Sequence, residues 1–164
     1  NSNSFGQVFT EHWKELEGIG TVKRFMLPTD IDGKLLAEKL HGFNVIIASV
    51  TPFFNKEFFD NKDELLLISR HGIGFNNVDL HAAKEHGTQV AIVPQKVERN
   101  SVAENELANL MALVRQVVPS SERERAGRYE DRAQFMGNEF SGKTFGVIGC
   151  GNIGSRVDEN NFRP

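Results

Sequence analysis

The sequence has a single cysteine, no basic excess and no long apolar run. Cys150 cannot form an internal disulfide, which fits a reducing compartment and predicts a cytoplasmic protein. Nineteen basic against 22 acidic residues give a net charge of −3, so the positive surface typical of a nucleic-acid partner is absent. The longest apolar run, Leu110–Val114, has five residues, whereas a membrane helix needs about 20. The first six residues lack the basic and apolar segments of a signal peptide.

What the sequence does contain is an alternation of short apolar runs with helix-like stretches. The predicted strands are Val22–Leu27, Val45–Val50, Leu65–Ser69 and Val90–Val93. The predicted helices between them are Lys34–Leu40, Phe54–Phe59 and 80–86, the last with Asp79 as N-cap and Gly87 as its stop. The strands are nearly continuous apolar runs, which is typical of a parallel sheet covered by helices on both faces. The pattern therefore predicts an α/β, doubly wound domain.

A longer helix is predicted over Ser101–Val118. Ser101 and Glu104 form a capping-box pattern at its start, and Pro119 follows its end. Its apolar residues cover much of its circumference, which predicts burial on several sides, in a core or at a subunit interface. The following segment, Ser120–Met136, carries charges of both signs and is predicted to be a solvated helix or a connector.

A glycine-rich motif follows the predicted strand Phe145–Ile148. Gly149, Gly151 and Gly154 form G-x-G-x-x-G directly after this strand, which is the context that a dinucleotide site requires. The first glycine would permit the tight turn, the second a close approach of pyrophosphate, and the third close packing of helix on strand. The alternative is a tight strand-to-helix turn that holds no ligand. The acidic residue expected about 20 positions later lies beyond Pro164, so the chain is expected to be part of a larger protein.

Three motifs in order and spacing resemble the D-isomer-specific 2-hydroxyacid dehydrogenase family. They are Ser69-Arg-His-Gly-Ile-Gly-Phe-Asn-Asn-Val-Asp79, Ser101-Val-Ala-Glu104, and Gly142-Lys-Thr-Phe-Gly-Val-Ile-Gly-Cys-Gly-Asn-Ile-Gly154. The resemblance extends from near the start of the chain to Val157 and corresponds to the N-terminal half of that family.

The resemblance implies a domain organisation. Residues 1–100 would form a flavodoxin-like substrate domain, residues 101–140 linking and interface helices, and residues 141–164 the beginning of a Rossmann NAD-binding domain, truncated or discontinuous. It further implies a homodimer through the 101–118 helix, and an active site in the cleft between the two domains.

The resemblance also implies the chemistry and its residues. A hydride would pass between C2 of a D-2-hydroxy or 2-oxo acid and the nicotinamide of NAD, with NADP not excluded. Ile73 and Gly74 would bind the substrate carboxylate through their backbone N–H groups. The cofactor-binding positions would be Val102, Gly149, Gly151, Asn152, Ile153 and Gly154, and Val102 is equally well read as an ordinary buried helix residue.

No catalytic residue is predicted within the chain. The arginine, glutamate and histidine that perform catalysis in the family have no counterpart before Pro164, so the 164 residues alone are expected to be inactive. The five histidines form no convincing metal set, and no metal site is predicted. The cluster Phe53, Phe54, Phe58 and Phe59 is interpreted as core packing or as a wall of the substrate cleft.

Two functional hypotheses remain open at this point. The first is an NAD(P)-dependent oxidoreductase acting on a small 2-hydroxy acid. The second is a non-catalytic member of the same fold that senses nucleotides or dimerises as an interaction protein. Which 2-hydroxy acid is used, and NAD against NADP, are not readable from these residues.

Overall fold

The computed structural model describes residues 5–159, which fall into two units divided between Pro94 and Gln95. The helices of the first unit are α1 (Thr10–Glu17), α2 (Gly33–Lys39), α3 (Lys56–Asn61) and α4 (Leu80–Glu85). Its strands are β1 (Val45–Ala48), β2 (Leu67–Arg70) and β3 (Gln89–Ala91). The helices of the second unit are α5 (Gln95–Val114), α6 (Val117–Arg125), a 3₁₀ helix (Tyr129–Phe135) and α7 (Asn152–Glu159).

The first unit is built on a parallel sheet, as predicted. Its order is β1-β2-β3, with Val45 opposite Leu67 and Leu67 opposite Gln89. Parallel strands need crossover connections, and here α3 and α4 lie between successive strands. The α/β fold class is therefore confirmed.

The core of the first unit contains three packed phenylalanine rings among aliphatic side chains. Phe54, Phe58 and Phe59 are 0–1% exposed and meet edge to face, with ring centroids 5.0 and 5.1 Å apart. Edge-to-face contact suits the ring quadrupoles and adds to the burial of apolar surface. Ile68 of β2 is fully buried within the same core. Phe53 is 56% exposed, so the predicted cluster contributes three rings to the core rather than four.

Side chains begin three of these helices where the sequence offers a suitable N-cap. The Asp79 carboxylate accepts from the N–H groups of His81 and Ala82, as predicted, and Gly87 takes a positive φ of 71° after the helix. Asp32 caps α2 and Asn55 caps α3 in the same manner.

Two predicted strands are absent from the described residues. Residues 22–27 have no ladder, and residues 145–148 likewise form no strand, with Ile148 fully exposed. A strand requires a hydrogen-bonded neighbour, and neither segment has one within the described chain. These two predictions were wrong at the level of secondary structure.

The long helix also differs from its prediction. α5 begins at Gln95 rather than Ser101, and the Ser101 hydroxyl donates to the Glu98 carbonyl inside the helix, so it does not act as a cap. α5 ends at Val114, and Gln116 has a left-handed φ of 53° between α5 and α6. Pro119 lies in the first turn of α6, where the missing N–H of proline costs nothing. Within the described residues of α5 only Ala103 is buried, against the predicted burial on several sides. The charged segment forms α6 and the 3₁₀ helix instead of one helix.

Candidate functional site

The loop after β2 lies at the carboxyl ends of the parallel strands, the edge where open α/β sheets bind ligands. The His71 N–H donates to the Ala48 carbonyl at the end of β1, at 2.8 Å. The Gly72 carbonyl accepts from the Val93 N–H, just after β3, at 3.2 Å. The loop therefore starts from a point held by both neighbouring strands.

Arg70, the last residue of β2, is 3% exposed and reaches under this loop. Its Nε donates to the Gly74 carbonyl at 2.6 Å, and its Nη1 donates to the carbonyls of Ala48 at 3.0 Å and His71 at 3.3 Å. A charged donor makes stronger hydrogen bonds to carbonyls than a neutral one. Arg70 thus joins the end of β1 to both halves of the loop.

Gly72 is required by this arrangement. Its φ of 147° is a conformation that other residues rarely adopt, and a Cβ there would lie 3.0 Å from Nη2 of Arg70. Gly74 differs, because its φ is not positive and a Cβ would meet no described atom within 4 Å. The backbone conformation therefore demands glycine at 72, whereas at 74 it leaves open space beside the loop.

Asn77 connects the loop to the segment that follows β1 through hydrogen bonds. Asn77 is 6% exposed, and its side-chain amide donates to the carbonyls of Ser49 at 3.1 Å and Pro52 at 2.9 Å, the latter after a cis Thr51–Pro52 bond. The Phe54 N–H donates to the Asn77 carbonyl at 2.7 Å, next to a parallel bridge between Phe54 and Val78. The two turns at this edge consequently form one hydrogen-bonded structure.

The backbone N–H groups of Ile73 and Gly74 have no hydrogen-bond acceptor among the described residues. Both predicted substrate-binding positions lie at the top of the Arg70-supported loop, with Ile73 half-buried and Gly74 exposed. Consecutive backbone N–H groups in such a turn can bind an anion. The loop therefore presents two neighbouring backbone donors of the kind that suit an anion.

The glycine turn of the second unit has a different geometry at each glycine. Gly149 takes a positive φ of 92°, and a Cβ on Gly154 would clash with the carbonyl oxygen of Gly149. A Cβ on Gly151 would meet nothing within 4 Å. The turn thus needs glycine at its first and third positions and leaves space at its second, before the eight-residue helix α7.

Helices α5 and α7 pack against each other within this unit. The Asn152 side chain donates to the Gln95 carbonyl at 2.7 Å, and Arg156 Nε donates to Asn100 Oδ1 at 3.0 Å. These bonds fix the start of α7 on the first turns of α5. Ile153 and Val102 are both half-buried in the same unit.

Other ionisable groups form no second site in the described part of the chain. No group of three or more metal-ligating side chains occurs there, and Cys150 is exposed. His81 and His86 lie 3.5 Å from Glu85 and Asp60 in exposed pairs. A hydrogen bond from the buried Lys62 lowers the pKa of the Asp63 carboxyl below its usual range, helped by the Gly42 N–H at 2.8 Å. None of the described helices is long and apolar enough to cross a membrane.

Comparison of the sequence with known protein families identifies the family of this chain. The family model for the D-isomer specific 2-hydroxyacid dehydrogenase catalytic domain matches residues 5–135. The chain belongs to this family. A protein of Staphylococcus saprophyticus named as a 2-hydroxyacid dehydrogenase is 34% identical over 129 residues, which is 77% of this chain and 40% of the relative. A similarly named protein of Staphylococcus aureus is 31% identical over 129 residues, again 77% of this chain and 40% of the relative.

Solved dehydrogenase structures share the fold. The pyruvate reductase of Chlamydomonas reinhardtii superimposes with a TM-score of 0.74 at 27% identity, over 97% of this chain and 46% of that one. The apo D-lactate dehydrogenase of Escherichia coli gives 0.76 at 26% identity, over 95% and 48%. The chain therefore spans less than half the length of these relatives.

Sequence reasoning found the glycines of both family motifs but missed the residues that hold the loop after β2. Arg70 and Asn77 were not singled out, although both lie inside the quoted motif. The signal for Arg70 was available, since a charge at the end of the apolar run Leu65–Ser69 must find polar partners if it is buried. The carbonyl partners of Asn77 could not be anticipated, because Ser49 and Pro52 are more than 20 positions away.

Proposed function

We propose that the protein is an NAD(P)-dependent oxidoreductase that transfers a hydride between a D-2-hydroxy acid and its 2-oxo acid. The observation that carries this proposal is the loop after β2, where the N–H groups of Ile73 and Gly74 have no acceptor among residues 5–159 and are offered to a carboxylate. Family membership supports the same reading, and the neighbours named as pyruvate reductase and D-lactate dehydrogenase act on acids of this class.

In this proposal each of the two glycine-containing segments binds a different ligand. Ile73 and Gly74 hold and orient the substrate carboxylate. Gly149, Gly151, Asn152, Ile153 and Gly154, with Val102 nearby, hold the dinucleotide at the start of α7, where free N–H groups and the helix dipole favour phosphate. The nicotinamide cofactor supplies the hydride when bound, and the residues of this chain bind and orient. We propose NAD as the cofactor, with NADP as the second possibility.

The chain contributes binding groups and no catalytic acid or base of its own in this account. We accordingly propose that the 164 residues alone do not turn over substrate. The division into a substrate domain (1–100), linking helices (101–140) and the beginning of an NAD-binding domain (141–164) remains part of the proposal, as does a cytoplasmic location.

We further propose that the 101–118 helical segment is a homodimer interface. Large apolar residues there are exposed to solvent, with Leu113 76% and Val118 61% exposed in the single chain. Covering such side chains with the same surface of a second copy would remove apolar area from water.

The substrate-loop assignment is tested by Gly74→Ala in the longest natural polypeptide that contains this chain. The added methyl group occupies open space beside the loop, so we expect the fold to survive. In our proposal this space adjoins the carboxylate, so we expect the KM for the 2-oxo acid to rise. Weakening one charge-assisted hydrogen bond of about 1.5–3 kcal/mol corresponds to a roughly 10- to 100-fold rise. The dinucleotide affinity should stay unchanged.

Gly20→Ala is the matched control, because a Cβ there also meets nothing within 4 Å. It should leave both constants unchanged. An unaltered KM in Gly74→Ala, with the protein folded, would remove the loop from substrate binding. If the non-catalytic alternative holds instead, the dinucleotide binds and no 2-oxo acid is reduced by the unsubstituted protein.

A further inference from the structure

The loop after β2 contains consecutive peptide planes from residue 71 to residue 75, and Arg70 fixes the first and the last of them. Its Nη1 donates to the His71 carbonyl at 3.3 Å, and its Nε donates to the Gly74 carbonyl at 2.6 Å. The same Nη1 donates to the Ala48 carbonyl at 3.0 Å, so the guanidinium is itself anchored at the end of β1. Both ends of the loop are therefore fixed by one side chain, which belongs to a residue only 3% exposed.

The second plane of the loop joins the Gly72 carbonyl to the Ile73 N–H. This carbonyl accepts from the Val93 N–H, just after β3, at 3.2 Å. In a planar trans peptide the C=O and N–H bonds point in opposite directions, so the Ile73 N–H is directed away from Val93. The hydrogen bond to Val93 therefore sets the direction of the first candidate donor.

The third plane carries the Gly74 N–H and lies between two planes that are already held. The plane before it is fixed through Val93, and the plane after it is fixed through Arg70 Nε. Because each peptide plane is rigid, the third plane can turn only if the backbone angles on both its sides change together. The N–H groups of Ile73 and Gly74 are thus kept in place although neither has an acceptor among residues 5–159.

We propose that Arg70 is a positioning residue for the substrate carboxylate. By fixing the peptide planes at both ends of the loop, it orders the N–H groups of Ile73 and Gly74 before the anion arrives, so that binding does not have to order them. The inference rests on the proposed function, in which these two groups bind the carboxylate. It goes further because it makes the affinity for the substrate depend on a side chain buried beneath the loop.

A role in stability alone makes a different prediction. Ile68 lies two residues before Arg70 in β2, and its side chain is fully buried in the core of the first unit. Ile68→Ala removes core packing from the same strand and lowers the stability of the same unit, but it leaves the hydrogen bonds of Arg70 to the loop in place. This variant is the matched control for loss of stability.

The experiment compares Arg70→Met, Arg70→Lys and Ile68→Ala in the longest natural polypeptide that contains the chain, at a temperature where circular dichroism shows each to be folded. Steady-state kinetics give KM and kcat for a 2-oxo acid that the unsubstituted protein reduces. Separately, the amide resonances of Ile73 and Gly74 are titrated with oxamate, an unreactive analogue of a 2-oxo acid, with and without NADH. The titration measures carboxylate binding whether or not any acid is reduced.

We expect Arg70→Met to raise the KM for the 2-oxo acid and the dissociation constant of oxamate at least tenfold. The kcat at saturating substrate should change less than threefold, because the carboxylate is bound alike in the ground state and the transition state. Arg70→Lys retains a donor but not the planar fork, so it should raise both constants by a smaller factor. Ile68→Ala should leave both constants unchanged.

Unchanged KM and oxamate affinity in folded Arg70→Met would overturn the proposal, as would equal increases in Arg70→Met and Ile68→Ala. If Arg70→Met does not fold, unchanged constants in Arg70→Lys carry the same meaning. The proposal also fails if oxamate shifts neither amide in the unsubstituted protein. Failure of the proposed function is a separate result, in which no 2-oxo acid is reduced while oxamate still binds with an affinity that depends on Arg70.

Discussion

At the scale of single residues, the buried guanidinium of Arg70 holds the candidate substrate loop. Arg70→Met would leave the carbonyls of Gly74, Ala48 and His71 without that donor. Because a buried polar group without a partner costs about 1–3 kcal/mol, we expect the variant to lose about 2–4 kcal/mol of unfolding free energy. Urea unfolding followed by Trp13 fluorescence, which lies in the same unit, measures this loss.

The exposed Lys39→Met serves as the control for removal of a positive charge in that unit and should change stability by less than about 0.5 kcal/mol. Arg70→Lys should fall between the two, since an ammonium cannot reach three carbonyls in the geometry of the planar guanidinium. Equal stability of Arg70→Met and the unsubstituted chain would contradict the role assigned to Arg70.

We expect the carboxyl of Asp63 to make the stability of the first unit sensitive to acid. Its folded-state pKa lies below the unfolded value because Lys62 and the Gly42 N–H bind the ionised form. The stabilisation is therefore complete above about pH 4 and is lost as the pH falls through the lowered folded-state pKa. In Asp63→Asn, stability should depend less on pH between about pH 2 and 4, as measured by urea midpoints. A variant with the same acid dependence as the unsubstituted chain would exclude Asp63 as the source.

At the scale of elements, the start of α4 fixes the far side of the candidate substrate loop. Asp79 accepts two N–H groups of the first turn, and its own N–H donates to the Phe54 carbonyl at 2.9 Å. Asp79→Ala should cost about 1 kcal/mol, the usual value of an N-cap. Thermal unfolding checks this value. The exposed Asp30→Ala removes the same charge without removing a cap, because Asp32 is the N-cap of the nearby helix α2, and should have little effect.

Elements with local causes could be predicted from the sequence. The cap at Asp79, the glycine after α4 and the apolar runs of β1, β2 and β3 all depend on neighbours in the chain, and all appear in the structure. Residues 22–27 and 145–148 have equally good strand sequences but form no ladder, because pairing depends on a partner strand elsewhere. The start of α5 was misplaced since a capping-box pattern at Ser101 also fits a helix interior.

The candidate site shows the same division between local and distant causes. Glycines 72, 149 and 154 were readable because each satisfies a backbone requirement near in sequence. The support beneath the loop was not readable, because it joins β2 to residues that follow β1. Positions such as Ile73 and Gly74 act through backbone groups, so their side chains carry little information about the role we propose.

At the scale of the whole molecule, two candidate binding elements lie in separate units of one chain. The first unit carries a loop suited to a carboxylate, and the second carries a glycine turn suited to a pyrophosphate. An enzyme that moves a hydride between a 2-hydroxy acid and a nicotinamide dinucleotide needs both elements. A sensor of nucleotides needs only the second, so the substrate loop favours the enzyme over the non-catalytic alternative.

The most direct test of this account is hydride transfer by the longest natural polypeptide that contains the chain. It would be incubated with NADH, or NADPH in parallel, and each member of a panel of 2-oxo acids, with absorbance at 340 nm and product chirality as readouts. The account predicts loss of the reduced cofactor matched by an equal amount of a D-2-hydroxy acid. Cofactor binding without turnover of any 2-oxo acid, or formation of the L product, would contradict it.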